Sequence, residues 1–339
     1  MLFFNGHHRE HQSLTSAEVS ALWFQYMGDT MSICVYNYFV KIAEDNEIKP
    51  ILNTLLQLAE GHVKKIKGFL DEANFLVPDG FSEGDVNLQA PRLFSDRFLL
   101  FYSYIMTLHG ISAYSLALSS CERPDIQDYF FDCIVSTKEI YQRISLLGRS
   151  WPKFSSIPNV PSPHTNEYLH ATGILTNLFG DKRPLNASEI TNLFFNSKKT
   201  AFVRTLSIAF SQVAQEEEVR EFLRKNGKLA GQDADSFDAF LRDDHLSIPQ
   251  RWDDEITDSI ISPFSDRLIM FHASFLVNAA LTYYGAAIGT TLRSDVALNY
   301  KSVSNHAMEA GGMCFNIMVK KGWLEKQPES IDRDALAGK

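Results

Sequence analysis

The chain is poor in cysteine: four residues in 339 (Cys34, Cys121, Cys133, Cys314), widely scattered and without a CxxC pair. That excludes a zinc framework and the dense staples of a secreted mini-domain, and predicts reduced, cytosolic thiols. No eighteen uncharged apolar residues run together, and the opening stretch MLFFNGHHREHQSL has no basic start followed by a long apolar segment. Neither a membrane span nor a secretory signal peptide is therefore expected. Basic charge is also in deficit. The 32 Lys and Arg against 41 Asp and Glu leave a net charge of −9, which gives no electrostatic footprint for nucleic acid or an anionic membrane. Convincing alternating strands are missing, as are a Gly-rich phosphate loop, a nucleophile elbow and a paired-acid glycosidase pattern. What is present, 45% hydrophobic and 22% charged residues, is enough apolar material to bury a core and rules out intrinsic disorder.

The chain repeats itself. Residues 14–24, LTSAEVSALWF, match 185–195, LNASEITNLFF, and the same offset of 171 pairs Phe39 with Phe210, Phe69 with Phe240 and Pro78 with Pro249. After one residue is dropped, Phe94-Ser95-Asp96-Arg97 falls on Phe264-Ser265-Asp266-Arg267, and Asp125 meets Asp295. One register held over most of each half means two homologous domains. The stretch 152–184 between them holds Pro152, Pro158, Pro161, Pro163 and Pro184, the density of a linker.

Each repeat opens with a capping box, Thr15 with Glu18 and Asn186 with Glu189. Four amphipathic segments follow in each half, near 16–44, 47–74, 94–120 and 125–150, then 187–215, 217–245, 264–291 and 295–321, with apolar residues at three- and four-residue steps. Short connections at Asp45-Asn46 and Glu122-Arg123-Pro124 predict antiparallel hairpins, whereas Phe75–Leu93 and Leu246–Pro263 can run the length of a bundle. One long crossover between helices 2 and 3 is the ferritin-like arrangement. The expected layout is an all-α protein: a flexible arm at 1–13, a four-helix bundle at 14–151, a Pro-rich linker at 152–184, a second bundle at 185–325, and a polar tail at 326–339.

The motifs LTSAEVSALWFQYM at 14–27, APRLFSD at 90–96 with its echo ISPFSD at 261–266, and IMVKKGWLE at 317–325 resemble those of the two-domain, spore-coat-protein-F-like, ferritin-like proteins of spore-forming bacteria. The likeness runs from about 14 to 325. It implies two tandem four-helix bundles, a link to sporulation, possible coat assembly, and a location in the mother cell or forespore cytoplasm or in the spore coat. It supplies no catalytic residues.

A ferritin-like fold raises the question of iron, because a di-iron centre needs a carboxylate from each of two helices and a Glu-x-x-His pair from each of the others. No Glu-x-x-His occurs in the chain, Glu60-Gly61-His62 has the wrong spacing, and 201–214 is free of acids, so no intact di-iron centre is expected. Heptad steps place Asp29, His62 and His109 on inner seams of the first bundle. With Glu139 from the fourth helix they could hold a single zinc or iron ion. The second bundle offers Asp233, His272, His306 and Glu309, of which His306 and Glu309 share a helix face. Asp233 takes the place of His62, Thr200 that of Asp29 and Ala279 that of His109. Two selected metal centres would be expected to match; a polar layer that only fixes register can drift. The asymmetry favours the polar layer, and a single divalent ion is the alternative.

His7, His8 and His11 read as solvated, Phe81 and Trp252 as pins holding the crossovers to the bundle surface, and Ile174, Leu175, Leu178 and Phe179 as closing the inter-domain interface or binding a partner. The leading expectation is a non-enzymatic structural or interaction protein with protein partners or self-association. The alternatives are a metal-dependent redox or oxygen-handling protein, and a carrier of a small apolar ligand, which a cavity of several hundred cubic ångströms in one bundle would favour.

Overall fold

In the computed structural model the described residues are 13–151, 153–166, 168 and 182–338. His7, His8, His11 and the segment Ile174, Leu175, Leu178, Phe179 lie outside them. Among the described residues there is no strand, and eight long helices fall into two sets of four. The first set is α1 (Ser16–Ile42), α2 (Ile48–Glu72), α3 (Asp96–Ser120) and α4 (Pro124–Gly148). The second is α5 (Ala187–Val213), α6 (Glu217–Asp243), α7 (Asp266–Thr290) and α8 (Ser294–Lys320), followed by a single turn, α9 (Arg333–Leu336). By length and composition α7 could cross a membrane; here Leu268, Ile269, Met270, Leu276 and Ala287 are buried in the protein core.

Two carboxylates per half join the helix ends. Glu18 accepts from the backbone N–H of Thr15 with one oxygen, closing the capping box, and from Glu122 and Arg123 with the other, at 3.1 and 2.8 Å. Glu189 does the same for Asn186, Leu292 and Arg293. At the opposite end Asp96 accepts from the N–H groups of Glu44 and Asp45, and Asp266 from those of Gln215 and Glu216. Helix α3 thus starts where α1 ends, so the crossover after α2 must climb the whole bundle. These acids satisfy amide donors that helix starts and tight connections leave unpaired.

The crossovers bind to each other across the molecule. Asn87 donates to the carbonyl of Pro263 and Thr257 to that of Leu93; Ser95 donates to Glu255 and Ser265 to Asp85. Each pair is the image of the other at the offset of 170, as are the single antiparallel bridges Val86–Phe264 and Phe94–Ile256. Such reciprocity defines an approximate two-fold axis relating the halves. On that axis the equivalent residues Tyr102 and His272 meet, hydroxyl to Nε2 at 2.7 Å.

Phe81 and Trp252 do pin the crossovers, but against the opposite half. Trp252 is buried and stacks flat on Phe101 at 4.2 Å, and Phe81 packs on Phe271 at 5.1 Å. Phe94 meets Phe210, Phe98 meets Phe202 and Tyr38 meets Phe264, so one apolar cluster is continuous through both halves. Satellite clusters fill the far end of each bundle. All four cysteines are free and buried.

A shared core predicts one cooperative urea transition for both halves rather than two, and Trp252→Ala should lower stability by about 3–5 kcal/mol while the transition stays single. Glu18 and Glu189 are desolvated, yet hydrogen bonds, from backbone amides in both and from Arg183 in the second, hold their pKa values below the usual glutamate value. A depressed folded pKa contributes stability above the unfolded value that is lost as pH falls through it. The urea midpoint should therefore drop below about pH 4.3, and Glu18→Gln and Glu189→Gln should be less stable at pH 7 and flatter across that window.

Candidate functional site

The structure distributes the predicted ligands in pairs. His62 on α2 faces Asp29 on α1, Nδ1 to Oδ2 at 3.2 Å, and both are buried. Burial drives the imidazole toward neutrality, but Asp29 on one side and Cys133 on the other more than offset it and raise the His62 pKa to about 10. Burial raises Asp29, opposed by His62; the pair is an internally compensated imidazolium and carboxylate. His109 lies apart, tilted against the rings of Phe275 and Tyr283. Burial, with Lys199 and His272 nearby, pushes its pKa down to about 3, so it is a neutral imidazole. Glu139 is exposed on the outside of α4, because its helical phase points away from the seam that carries Thr137 and Ile140.

In the second half His306 meets Asp233 at 2.7 Å. Glu309 instead turns to solvent and pairs with Lys225, and His272 is taken up by Tyr102 on the axis. Among the described residues no three His, Cys, Asp or Glu side chains converge as an ion would require.

Asp29, His62 and His109 nevertheless share a space. A cavity of about 650 Å³ lies within the first bundle and opens between α1 and α3. Its walls are mostly apolar, including Ala21, Met31, Leu55, Met106 and Phe130, with Phe275, Ala279 and Tyr283 reaching in from the second half. The mouth is marked by Phe24 and Leu116, both more than half exposed. Deeper in, Gln25 Oε1, both ring nitrogens of His109 and Thr137 Oγ1 have no hydrogen-bond partner among the described residues, although all three residues are more than nine-tenths buried. Buried polar atoms are normally satisfied. Apolar walls around a few convergent, unsatisfied polar groups are the chemistry of a small-molecule site.

A model of the DUF3231 family, proteins of unknown function, matches residues 3–163 and again 173–336. The chain belongs to the DUF3231 family. Its two halves are two DUF3231 units in tandem. No curated protein matches the chain. Among solved structures it is similar to a candidate spore coat protein from Bacillus halodurans, with 20% identity and a TM-score of 0.40 over 44% of this chain and 98% of that one.

The second DUF3231 unit holds the counterpart of the cavity, and it has closed. The remnant has a volume of about 40 Å³ and is lined by Thr200, Ala230, Asp233 and Tyr284, the equivalents of Asp29, Ala59, His62 and Tyr114. The difference lies in the residues at the mouth. Gly28 has nothing within 4 Å of where a Cβ would stand; its equivalent is Lys199. Ala113 corresponds to Tyr283. The Lys199 amine lies 4.3 Å from the ring centre of Phe195, the counterpart of Phe24, and 3.0 Å from that of Tyr283. These side chains plug the second groove, while Tyr283, through a 2.7 Å hydrogen bond with Ser112, also forms a wall of the first. Neither Gln25, Thr137 nor this small-against-large substitution emerged from motif reading. The aligned repeats did contain the signal, as a change in side-chain volume at matched positions.

Burial pushes the Lys199 amine well below the ordinary lysine range, and its nitrogen has no hydrogen-bond partner among the described residues. Below about pH 10.4 the unfolded chain takes up a proton that the folded chain refuses, so folding is penalised from that pH downward. Lys199→Met should raise stability by about 1–3 kcal/mol at pH 7, with the gain shrinking toward pH 10 in urea titrations.

Proposed function

We propose that the protein is a non-enzymatic binding protein that holds a small, largely apolar molecule in its first bundle, with the second bundle as a closed structural partner supplying one wall. The 650 Å³ cavity with its unsatisfied polar floor supports this reading. The contrast with the plugged remnant adds to it: a groove left over from packing would be expected in both units, whereas only the unit with Gly28 and Ala113 keeps it open. Catalysis would need a nucleophile or a general acid and base poised near neutrality. The cavity instead offers a compensated ion pair and an imidazole that burial keeps neutral. We place this role in sporulation, as a component of the sporulating cell or the coat, on the likeness of the 14–27, 90–96 and 261–266 motifs to spore-coat-protein-F-like proteins.

The neutral fluorophore Nile red should bind the parent protein once per chain with a micromolar Kd. The double substitution Gly28→Leu, Ala113→Tyr should weaken it at least about tenfold while leaving the melting temperature within a few degrees. Undiminished binding to the filled variant, or none to the parent, would remove the cavity as a ligand site.

A further inference from the structure

The groups that line the cavity also select the chemistry of what fits it, granted the ligand-binding reading above. We infer that the ligand is an uncharged amphiphile, a hydrocarbon body carrying one neutral hydroxyl, carbonyl or amide head, seated head-down on Gln25, His109 and Thr137. Charge is decided first. Neither lysine nor arginine lines the cavity, and its single cation, His62, is already matched by Asp29 at 3.2 Å. A carboxylate or phosphate head would enter without a counter-ion, and an ammonium would find only a carboxylate that His62 already holds. Either would leave a charge buried and unpaired, a penalty that neutral heads avoid.

Hydrogen bonding is decided next. The neutral His109 ring presents one donor and one acceptor, both without a partner among the described residues; Gln25 Oε1 accepts, and Thr137 Oγ1 can do either. The capacity is mixed and uncharged, which suits a group that both gives and takes a hydrogen bond. Size follows from the walls. From the polar floor to the mouth at Phe24 and Leu116 the lining is mostly aliphatic and aromatic, with only neutral hydroxyl and amide groups such as Ser20, Ser119 and Asn278 among it, and a volume of about 650 Å³ lies within the range of small-molecule pockets.

Isothermal titration of the full chain at pH 7.5 with 1-decanol, decanamide, decanoate and decylamine holds the hydrocarbon constant and varies only the head. The alcohol and the amide should bind at least about tenfold more tightly than the carboxylate and the amine. His109→Phe with Thr137→Val should cost the alcohol and the amide that advantage, while Nile red binding persists. Decanoate or decylamine binding as tightly as decanol would overturn the inference, as would failure of all four to bind a protein that still takes up Nile red. Loss of Nile red binding in the parent would instead overturn the cavity reading on which the inference rests.

Discussion

The reciprocal pairing of the two crossovers is the contact on which this structure turns. Each long connection lies on its own bundle, where Phe81 N–H donates to Thr30 and Asp253 accepts from Arg204 and Thr205, sends an aromatic side chain into the other half, and starts the third helix beside a backbone segment of its counterpart. Trp252 on Phe101 and Phe81 on Phe271 are the anchors, and the mutual hydrogen bonds of Asn87, Thr257, Ser95 and Ser265 set the register. Because the crossovers meet between the halves and each lends an aromatic ring to the other, neither bundle completes its core alone. The cluster running from Phe39 through Phe98 to Phe202 and Phe271 belongs to both halves.

That arrangement gives the two copies different freedoms. Their inner ends, near the axis, are held to the same aromatic packing, with Tyr102 against His272 at the centre. Farther along the helices the constraint relaxes and the copies diverge. One keeps Gly28 and Ala113 and an open groove; the other carries Lys199 and Tyr283 and a filled one. The imidazole–carboxylate contact has diverged in the same way. Asp29 on the first helix and His62 on the second are answered by Asp233 on the second and His306 on the fourth. A polar pair persists at this level while its residues have changed helix, as expected if the packing tolerates one hydrogen-bonded pair there and nothing dictates which elements supply it.

Much of this was legible in the chain. The capping boxes at Thr15 and Asn186 start α1 and α5 where expected, because a local signal of four residues is read by local backbone. Helix lengths, hairpins and the crossover followed from apolar periodicity and connection length. The site was legible in part: Asp29, His62 and His109 do line one cavity, but Glu139 and Glu309 face solvent. Heptad phase is accurate to about a third of a turn, enough to assign a seam but too coarse to say whether two inward side chains touch.

The sequence by itself determined the duplication, the helical content, the ends of the helices and the charge balance, all properties carried by short-range spacing and composition. Only the tertiary structure decided that the crossovers pair with each other, that the two cores merge, and that one bundle is hollow where its twin is plugged. Those outcomes depend on side chains far apart in the chain meeting in space. Whether Gly28 borders a cavity is settled by what its distant neighbours fill, and no local pattern records that.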